Sequence, residues 1–195
     1  MAGAQKNKQE DRFLKKAAQG NREGLEYLVN TYKNLAYTVA ITILRNREDA
    51  EEVVQDAFIK AFASLKGFKK SSKFSTWLYR IVYNCALTKI ASRKIMNASL
   101  EEVSSHEKNS NAENKGWDAL RSHEKRKYID RAMDRLSPED RLLFTLHYVH
   151  GKTISEIGNI MDLKRSAIKM RLLRGRKQLK IELESVLGNE VKNLL

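Results

Sequence analysis

With 195 residues the chain has room for one large domain or two small ones, and 42% hydrophobic content is enough for a buried core. Nine glycines and one proline are too few breakers for a many-stranded sheet protein, so helices are expected. A formal net charge of +13 points to an anionic partner, nucleic acid or an anionic membrane surface, while the single cysteine, Cys85, excludes an internal disulfide and cannot by itself assemble a zinc site.

The N-terminus, Met1 to Arg12, is polar, without the apolar stretch of a leader, and no apolar run nears the roughly 18 to 20 residues that span a bilayer. A cytoplasmic protein is expected. Phe13, Leu14 and Ala17, then Leu25, Leu28, Val29 and Tyr32, recur at helical spacing around Gly20-Asn21, which reads as two short helices and a turn. A third helix is expected from about Leu35 to Leu44. Val53, Val54, Ala57, Phe58, Ala61, Phe62 and Leu65 then mark one face of a longer amphipathic helix. After Gly67 come a polar loop and another long helix, from Thr76 to about Ile95.

Charge is unevenly divided here. Carboxylates stand at 48, 49, 51, 52 and 56 with no base among them, whereas Ala57 to Leu100 holds no acid and nine bases. An acidic and a basic surface on one small domain suggest two partners of opposite charge. Phe74, Trp77, Tyr79 and Tyr83 lie in the acid-free stretch, and aromatics among Lys and Arg suit the stacking of single-stranded bases. Trp77, with Leu78 and Ile81, also reads as core, and a partly structural role is the stronger reading for it. Asn84, two turns into the basic helix, has the chemistry to bond a base edge.

From Ser99 to about Ser122 the chain is polar and aperiodic, a flexible linker, with Trp117 its one large apolar residue. Beyond it Ile129, Met133 and Leu136 resume a helical stripe. Ser137-Pro138-Glu139 supplies an N-cap, a first-turn proline and an acid for the next helix, which His150-Gly151 closes. Thr153 and Glu156 make a capping box. Ile154, Ile157, Gly158 and Met161 then face inward from a short helix, Asp162-Leu163-Lys164 turns, and Ile168 and Leu172 face inward from a second, the spacing of a helix-turn-helix with Gly158 where the helices approach.

The second helix is strongly basic, and the only acids from Gly151 to Ile181 are Glu156 and Asp162. Arg and Lys neutralise phosphates while side chains one turn apart reach base edges in the major groove. Lys169, Met170, Leu173 and Arg174 have that spacing.

Four ordered motifs, Asp49-Ala-Glu-Glu-Val-Val-Gln-Asp-Ala-Phe58, Phe74-Ser-Thr-Trp-Leu-Tyr-Arg-Ile81, Leu136-Ser-Pro-Glu-Asp-Arg141 and Ile157-Gly-Asn-Ile-Met161, together with Arg171 to Arg176, resemble a bacterial extracytoplasmic-function (group 4) sigma factor of the sigma-70 family. The resemblance spans about Phe13 to Lys180. It implies an all-α fold with a region 2 domain over 10–97, a flexible linker over 98–124 and a region 4 domain with the helix-turn-helix over 125–187. It implies a non-enzymatic subunit that binds core RNA polymerase, directs it to promoters and helps open the minus-ten region, without metal or cofactor.

By the same resemblance Asp49, Glu51, Glu52, Gln55, Asp56 and Phe58 would dock on the clamp helices of the largest polymerase subunit, and the C-terminal domain on the flap of the second-largest. Lys69, Lys70, Ser71, Ser72, Lys73, Phe74, Trp77, Arg80, Asn84, Lys89 and Arg93 would handle the minus-ten strand, including a flipped base. Lys164, Arg165, Ser166, Lys169, Met170, Arg171, Leu173, Arg174 and Lys177 would contact the minus-thirty-five duplex. The linker would run near the RNA exit path, and an anti-sigma factor would mask the idle protein. Lys164 and Arg165 stand where many members carry a proline and an aliphatic residue. Two rival readings are a helix-turn-helix regulator acting without polymerase and a nuclease using Asp49, Glu52 and Asp56 as metal ligands.

Overall fold

The computed structural model describes residues 2–69, 71–99 and 128–187, and the expected linker and Lys70 lie outside the described residues. Every regular element among the described residues is helical, as the scarcity of breakers implies. The N-terminal part comprises α1 (Ala2–Ala18), α2 (Arg22–Leu44), α3 (Arg47–Ser64), a 3₁₀ turn at Leu65–Gly67, and α4 (Phe74–Ser99). The C-terminal part comprises α5 (128–134), α6 (Pro138–Phe144) with a π-helical continuation at Thr145–Val149, α7 (Ile154–Met161) and α8 (Arg165–Leu187).

Each junction has a local cause. The Asn21 and Asn46 side chains accept from the backbone N–H groups of Gly24 at 3.2 Å and Asp49 at 2.9 Å, starting α2 and α3. Ser137 caps α6 by accepting from Asp140 N–H at 3.1 Å. The capping box forms as read: Glu156 N–H donates to Thr153 Oγ1 at 3.2 Å, and Thr153 N–H donates to Glu156 Oε2 at 3.0 Å. Asp162, at φ 58°, ends α7 in the left-handed conformation that short polar side chains tolerate.

Several boundaries differ from the sequence reading: α1 is a 17-residue helix from Ala2, not a short one around Phe13, and α4 begins at Phe74, two residues before the expected start. The helices expected on either side of Lys33-Asn34 are one 23-residue helix, α2. Neither residue is a breaker, and the buried stripe Leu28, Tyr32, Ala36, Val39, Ala40 and Ile43 passes through without a change of period. The helix that begins at Pro138 does not stay α-helical to His150. It widens over Thr145–Val149, where His150 N–H donates to Thr145 O at 3.1 Å, a π-type bond.

The N-terminal core joins that stripe to Val53, Ala57 and Ala61 of α3 and Leu78, Val82 and Ala86 of α4, all buried. Small residues at the crossings let the helix backbones approach closely, and a buried leucine such as Leu28 or Leu78 contributes roughly 1.5 to 3 kcal/mol. The C-terminal core gathers Leu142, Leu143 and Leu146 against Ile157, Ile160, Ile168 and Leu172. A Cβ at Gly158 would come within 2.8 Å of the Leu163 carbonyl and 3.4 Å of Ile168 Cδ1, so the glycine is needed where the turn folds back on α7.

The two parts touch. Helix α7 packs on α4, and α6 on α2. Arg141, only 8% exposed, sits at the second contact, where its guanidinium donates to the backbone carbonyls of Met133 and Leu136, at 3.1 and 3.2 Å, and of Thr42, at 3.2 Å. Arg45, the residue that ends α2, pairs there with Asp134.

Candidate nucleic-acid interface

In α8 the inward residues are Ile168, Leu172 and Gly175, and the outer side carries Ser166, Lys169, Met170, Leu173, Arg174 and Lys177, with Lys164 just before the helix and Arg165 at its start, every one exposed. Spacings of three and four residues place Lys169, Met170, Leu173 and Arg174 within two turns of one face. Met170 and Leu173 are 48% and 44% exposed, large apolar side chains held in solvent among cations. This is a convex, basic helix face of the size a major groove admits. Arg171 departs from the expectation: it turns towards α6, with guanidinium nitrogens 3.9 Å from Glu139 and 3.5 Å from Asp140. Its position is one step around the helix from the open face, towards the first-turn acids of α6.

The second face lies on α4 and the loop before it. Lys69, Ser71, Lys73, Arg80 and Asn84 are exposed and Ser72 is half-buried. Phe74 is a correction. It is 1% exposed, because it begins α4 and its ring packs at 5.3 to 5.8 Å from the rings of Tyr32, Phe68 and Trp77. The side chain expected against DNA is therefore core. Trp77 is half-buried, 5.0 Å from Phe68, so it walls the loop rather than standing free.

Lys89 and Arg93 belong to a different neighbourhood from Lys73 and Arg80. Lys89 Nζ is 2.7 Å from Glu52 and 3.6 Å from Asp49, and Arg93 pairs with Asp49. Asp49, 13% exposed at its side chain, thus ties α3 to α4 and is not presented outward. The cause is geometric: α3 packs along α4, so carboxylates on its flank meet the bases that α4 carries. Asp49, Glu52 and Asp56 are not gathered as metal ligands, and among the described residues no group of three His, Cys, Asp or Glu is placed to hold a metal ion.

On the other side of α3 a groove runs between α2 and α3, lined by Tyr37, Glu51, Gln55, Phe58, Ile59 and Phe62 among others. Ile59 is 63% exposed and Phe58 is buried at 6%, so Phe58 forms the floor and Ile59 the rim. Glu51, Glu52 and Gln55 line the groove and are exposed, Glu52 also reaching Lys89 of α4, and Asp56 is exposed one residue further along α3. An apolar trough bordered by acids suits a helical partner with a basic rim. Ile59 escaped sequence reading because its neighbours Phe58 and Phe62 read as one buried stripe, although its offset by one position already turned it outward.

Cys85 is half-buried, with Lys60 Nζ 3.5 Å from its sulfur. Among the described residues no helix is long and apolar enough to cross a membrane.

Residues 28–95 match Sigma-70 region 2, and residues 126–179 match Sigma-70, region 4, together more than half the chain. The ECF RNA polymerase sigma factor SigW of Bacillus subtilis (strain 168) is 28% identical over 179 residues, covering 89% of this chain and 96% of that protein. The ECF RNA polymerase sigma-E factor of Escherichia coli (strain K12) is 28% identical over 174 residues, covering 84% of this chain and 88% of the relative. Among solved structures, the sigma factor RpoE in complex with the anti-sigma factor NepR from Bartonella quintana gives a TM-score of 0.67 at 21% identity, covering 82% of this chain and 96% of that one. CnrH in complex with the cytosolic domain of CnrY gives 0.62 at 21% identity, covering 89% and 96%. Both share the fold.

Proposed function

The chain belongs to the sigma-70 family as an extracytoplasmic-function sigma factor, and from that premise we propose how its surfaces divide the work of initiation. It is an alternative sigma factor, acting with core RNA polymerase to direct transcription to particular promoters. The groove of α2 and α3 docks on the clamp helices of the largest polymerase subunit, with Ile59, Phe58 and Phe62 supplying apolar contact, Glu51 and Glu52 the complementary charge and Gln55 a neutral hydrogen-bonding group, and with the exposed Asp56 adding a further negative charge on the same helix. The α4 face and its loop take the minus-ten non-template strand, with Lys69, Lys73 and Arg80 on phosphates and Asn84 on a base edge. Phosphate contacts of this kind give affinity and register, and base-edge contacts give sequence.

Helix α8 enters the minus-thirty-five major groove. Lys169 and Arg174 have donors for base acceptors, and Met170 and Leu173 offer the apolar contact that suits thymine methyl groups. Residues 128–187 also meet the flap of the second-largest subunit. No chemical step is assigned to any side chain: strand opening is driven by binding the opened strand, which repays the few kcal/mol of lost stacking and pairing. The site of action is the cytoplasm, where polymerase is. An anti-sigma protein is a further partner by analogy with the NepR and CnrY complexes.

The observation that carries this reading is the acid-bordered apolar groove with Ile59 exposed on its rim, since a regulator working on DNA alone has no need of it. Run-off transcription with core polymerase and a promoter library tests it. A specific start with this protein as sole sigma factor is expected, and a start that requires a second sigma factor returns the chain to the class of DNA-binding regulators.

A further inference from the structure

The segment Gly151 to Ile181 contains two acids among many bases, Glu156 and Asp162. Both lie at the contact with α4. Lys73 Nζ is 3.2 Å from Glu156 Oε1, and Arg80 Nη2 is 2.8 Å from Asp162 Oδ2. Lys152 adds its ammonium 5.8 Å from the centre of the Tyr79 ring. The strongly basic helix-turn-helix therefore turns its acids towards the basic face of the N-terminal domain, and the cations met are two of those assigned above to the minus-ten strand.

Glu156 divides its oxygens between two tasks. Oε2 accepts from Thr153 N–H at 3.0 Å and Thr153 Oγ1–H at 2.9 Å, completing the capping box, and Oε1 faces Lys73. Thr153 N–H, more than any other group, holds its carboxyl below the usual carboxylate range, so the anion persists. Two carboxylates spaced along α7 and its turn thus occupy cations that otherwise hold phosphates.

We infer that Glu156 and Asp162 are an intramolecular phosphate mimic, closing the C-terminal domain over the strand-reading face of α4 in the polymerase-free protein. The inference rests on the assignment of Lys73 and Arg80 to the minus-ten strand. The latch is weak by construction. Its side chains are between 21% and 76% exposed, and surface ion pairs contribute little individually and less at higher salt. A weak latch suppresses stray binding to single strands and yields when polymerase holds the domains apart.

The test uses the full chain carrying Glu156→Gln and Asp162→Asn. Glutamine still serves a capping box, and asparagine tolerates the left-handed backbone of position 162, so the helices are kept while the anions are lost. A control carrying Glu23→Gln and Glu26→Gln removes the same two charges from the first turns of α2, away from α4. Fluorescence anisotropy with a short single-stranded oligonucleotide should show binding tighter by on the order of three- to ten-fold in the latch variant, the span of two surface ion pairs, and unchanged in the control. X-ray scattering should show a larger radius of gyration for the latch variant alone. Equal affinity, an equal gain in the control, or an unchanged radius overturns the latch. Wild-type run-off transcription separates the failures: no specific start with core polymerase sinks the sigma assignment, whereas a specific start beside a silent latch variant sinks only the inference drawn here.

Discussion

Arg141 of α6 donates from Nη1 to the backbone carbonyl of Thr42, 3.2 Å away, one of the last carbonyls of α2 and 99 residues distant in sequence. Those carbonyls have no partner within their own helix, and a cation there also meets the negative end of the helix dipole. The same guanidinium serves Met133 and Leu136, so one side chain finishes α2 and α5 and joins the two parts of the protein. Burial lowers its pKa to about 10, which leaves it charged at neutral pH. Arg141→Ala is expected to cost about 2 to 4 kcal/mol, since it orphans buried acceptors bonded to a charged donor. Arg141→Lys should recover less than half, because an ammonium lacks the planar fork. Urea denaturation decides, and a loss below the uncertainty of the transition would remove Arg141 from the structural account.

Gly175 abuts the Phe144 ring: a Cβ there would stand 2.4 Å from Cε2 and 2.8 Å from Cζ. Alanine is the better helix former by about 1 kcal/mol. Against that gain, overpacking a closed contact typically costs about 1 to 3 kcal/mol. Gly175→Ala should therefore be destabilising on balance, and adding Phe144→Leu should recover part of the loss. A double-mutant cycle in thermal unfolding measures the coupling, and strict additivity would show that the ring moves aside freely.

How far sequence reading reaches is visible in particular residues. The capping box at Thr153 and Glu156, the N-cap at Ser137 and the inward set of the helix-turn-helix follow from local rules, and they stand where the periodicity places them. Phe74 was not legible, since an aromatic next to lysines reads alike whether it stacks on a base or starts a helix by plugging a core. Only the neighbouring rings of Tyr32, Phe68 and Trp77 decide it. Asp49 and Arg171 show the limit of charge runs: these identify a helix flank, but which side chains on it find an intramolecular partner depends on the facing helix. The pairing of Glu156 and Asp162 with α4 depends on contacts more than 80 residues apart, beyond any local signal.

Arg174 and Lys177 lie one turn apart on the open face of α8 and should behave differently. Arg174→Ala is expected to weaken binding to the cognate duplex by about 1 to 3 kcal/mol, the range of a good base contact, and to relax discrimination at one position. Lys177→Ala should weaken cognate and random duplexes alike and reduce the salt slope by about one. Binding isotherms on both duplexes across salt distinguish the roles. An equal loss on both for Arg174→Ala would make it a phosphate contact.

Glu156 gives the stability curve a testable pH dependence. The Thr153 N–H holds its carboxyl below the ordinary value of 4.5, so the folded state favours the anion. The stabilisation is fully present above about pH 4.5 and is lost as pH falls through the depressed folded value. Glutamine keeps the capping geometry but not the charge. The stability gap between wild type and Glu156→Gln is therefore expected to be constant, at about 0.3 to 1 kcal/mol, from pH 6 to 8 and to narrow as pH falls below about 4.5. Urea midpoints from pH 8 down into the acid range check it, and a gap that does not narrow as the carboxylate protonates would rule out the charge as its source.

Ile59 separates docking from folding. At 63% exposure its side chain contributes little to the core, so Ile59→Glu should change stability by no more than about 0.5 kcal/mol. In a docked groove the same substitution buries an unpaired carboxylate among Phe58, Phe62 and the partner's apolar surface, in a trough that Glu51 and Glu52 already line. Burying such a charge without a partner costs several kcal/mol, enough to lower affinity for core polymerase by 100-fold or more on the order of 3 kcal/mol. Charge reversal at Asp56 should act in the same direction, but its effect should fade as salt screens it, whereas that of Ile59→Glu should persist. Co-purification with core enzyme at low and high salt, beside a melting curve for each variant, reads both effects. Undiminished polymerase binding by Ile59→Glu would place the docking surface elsewhere on the domain, and a large fall in melting temperature would show that Ile59 belongs to the core after all.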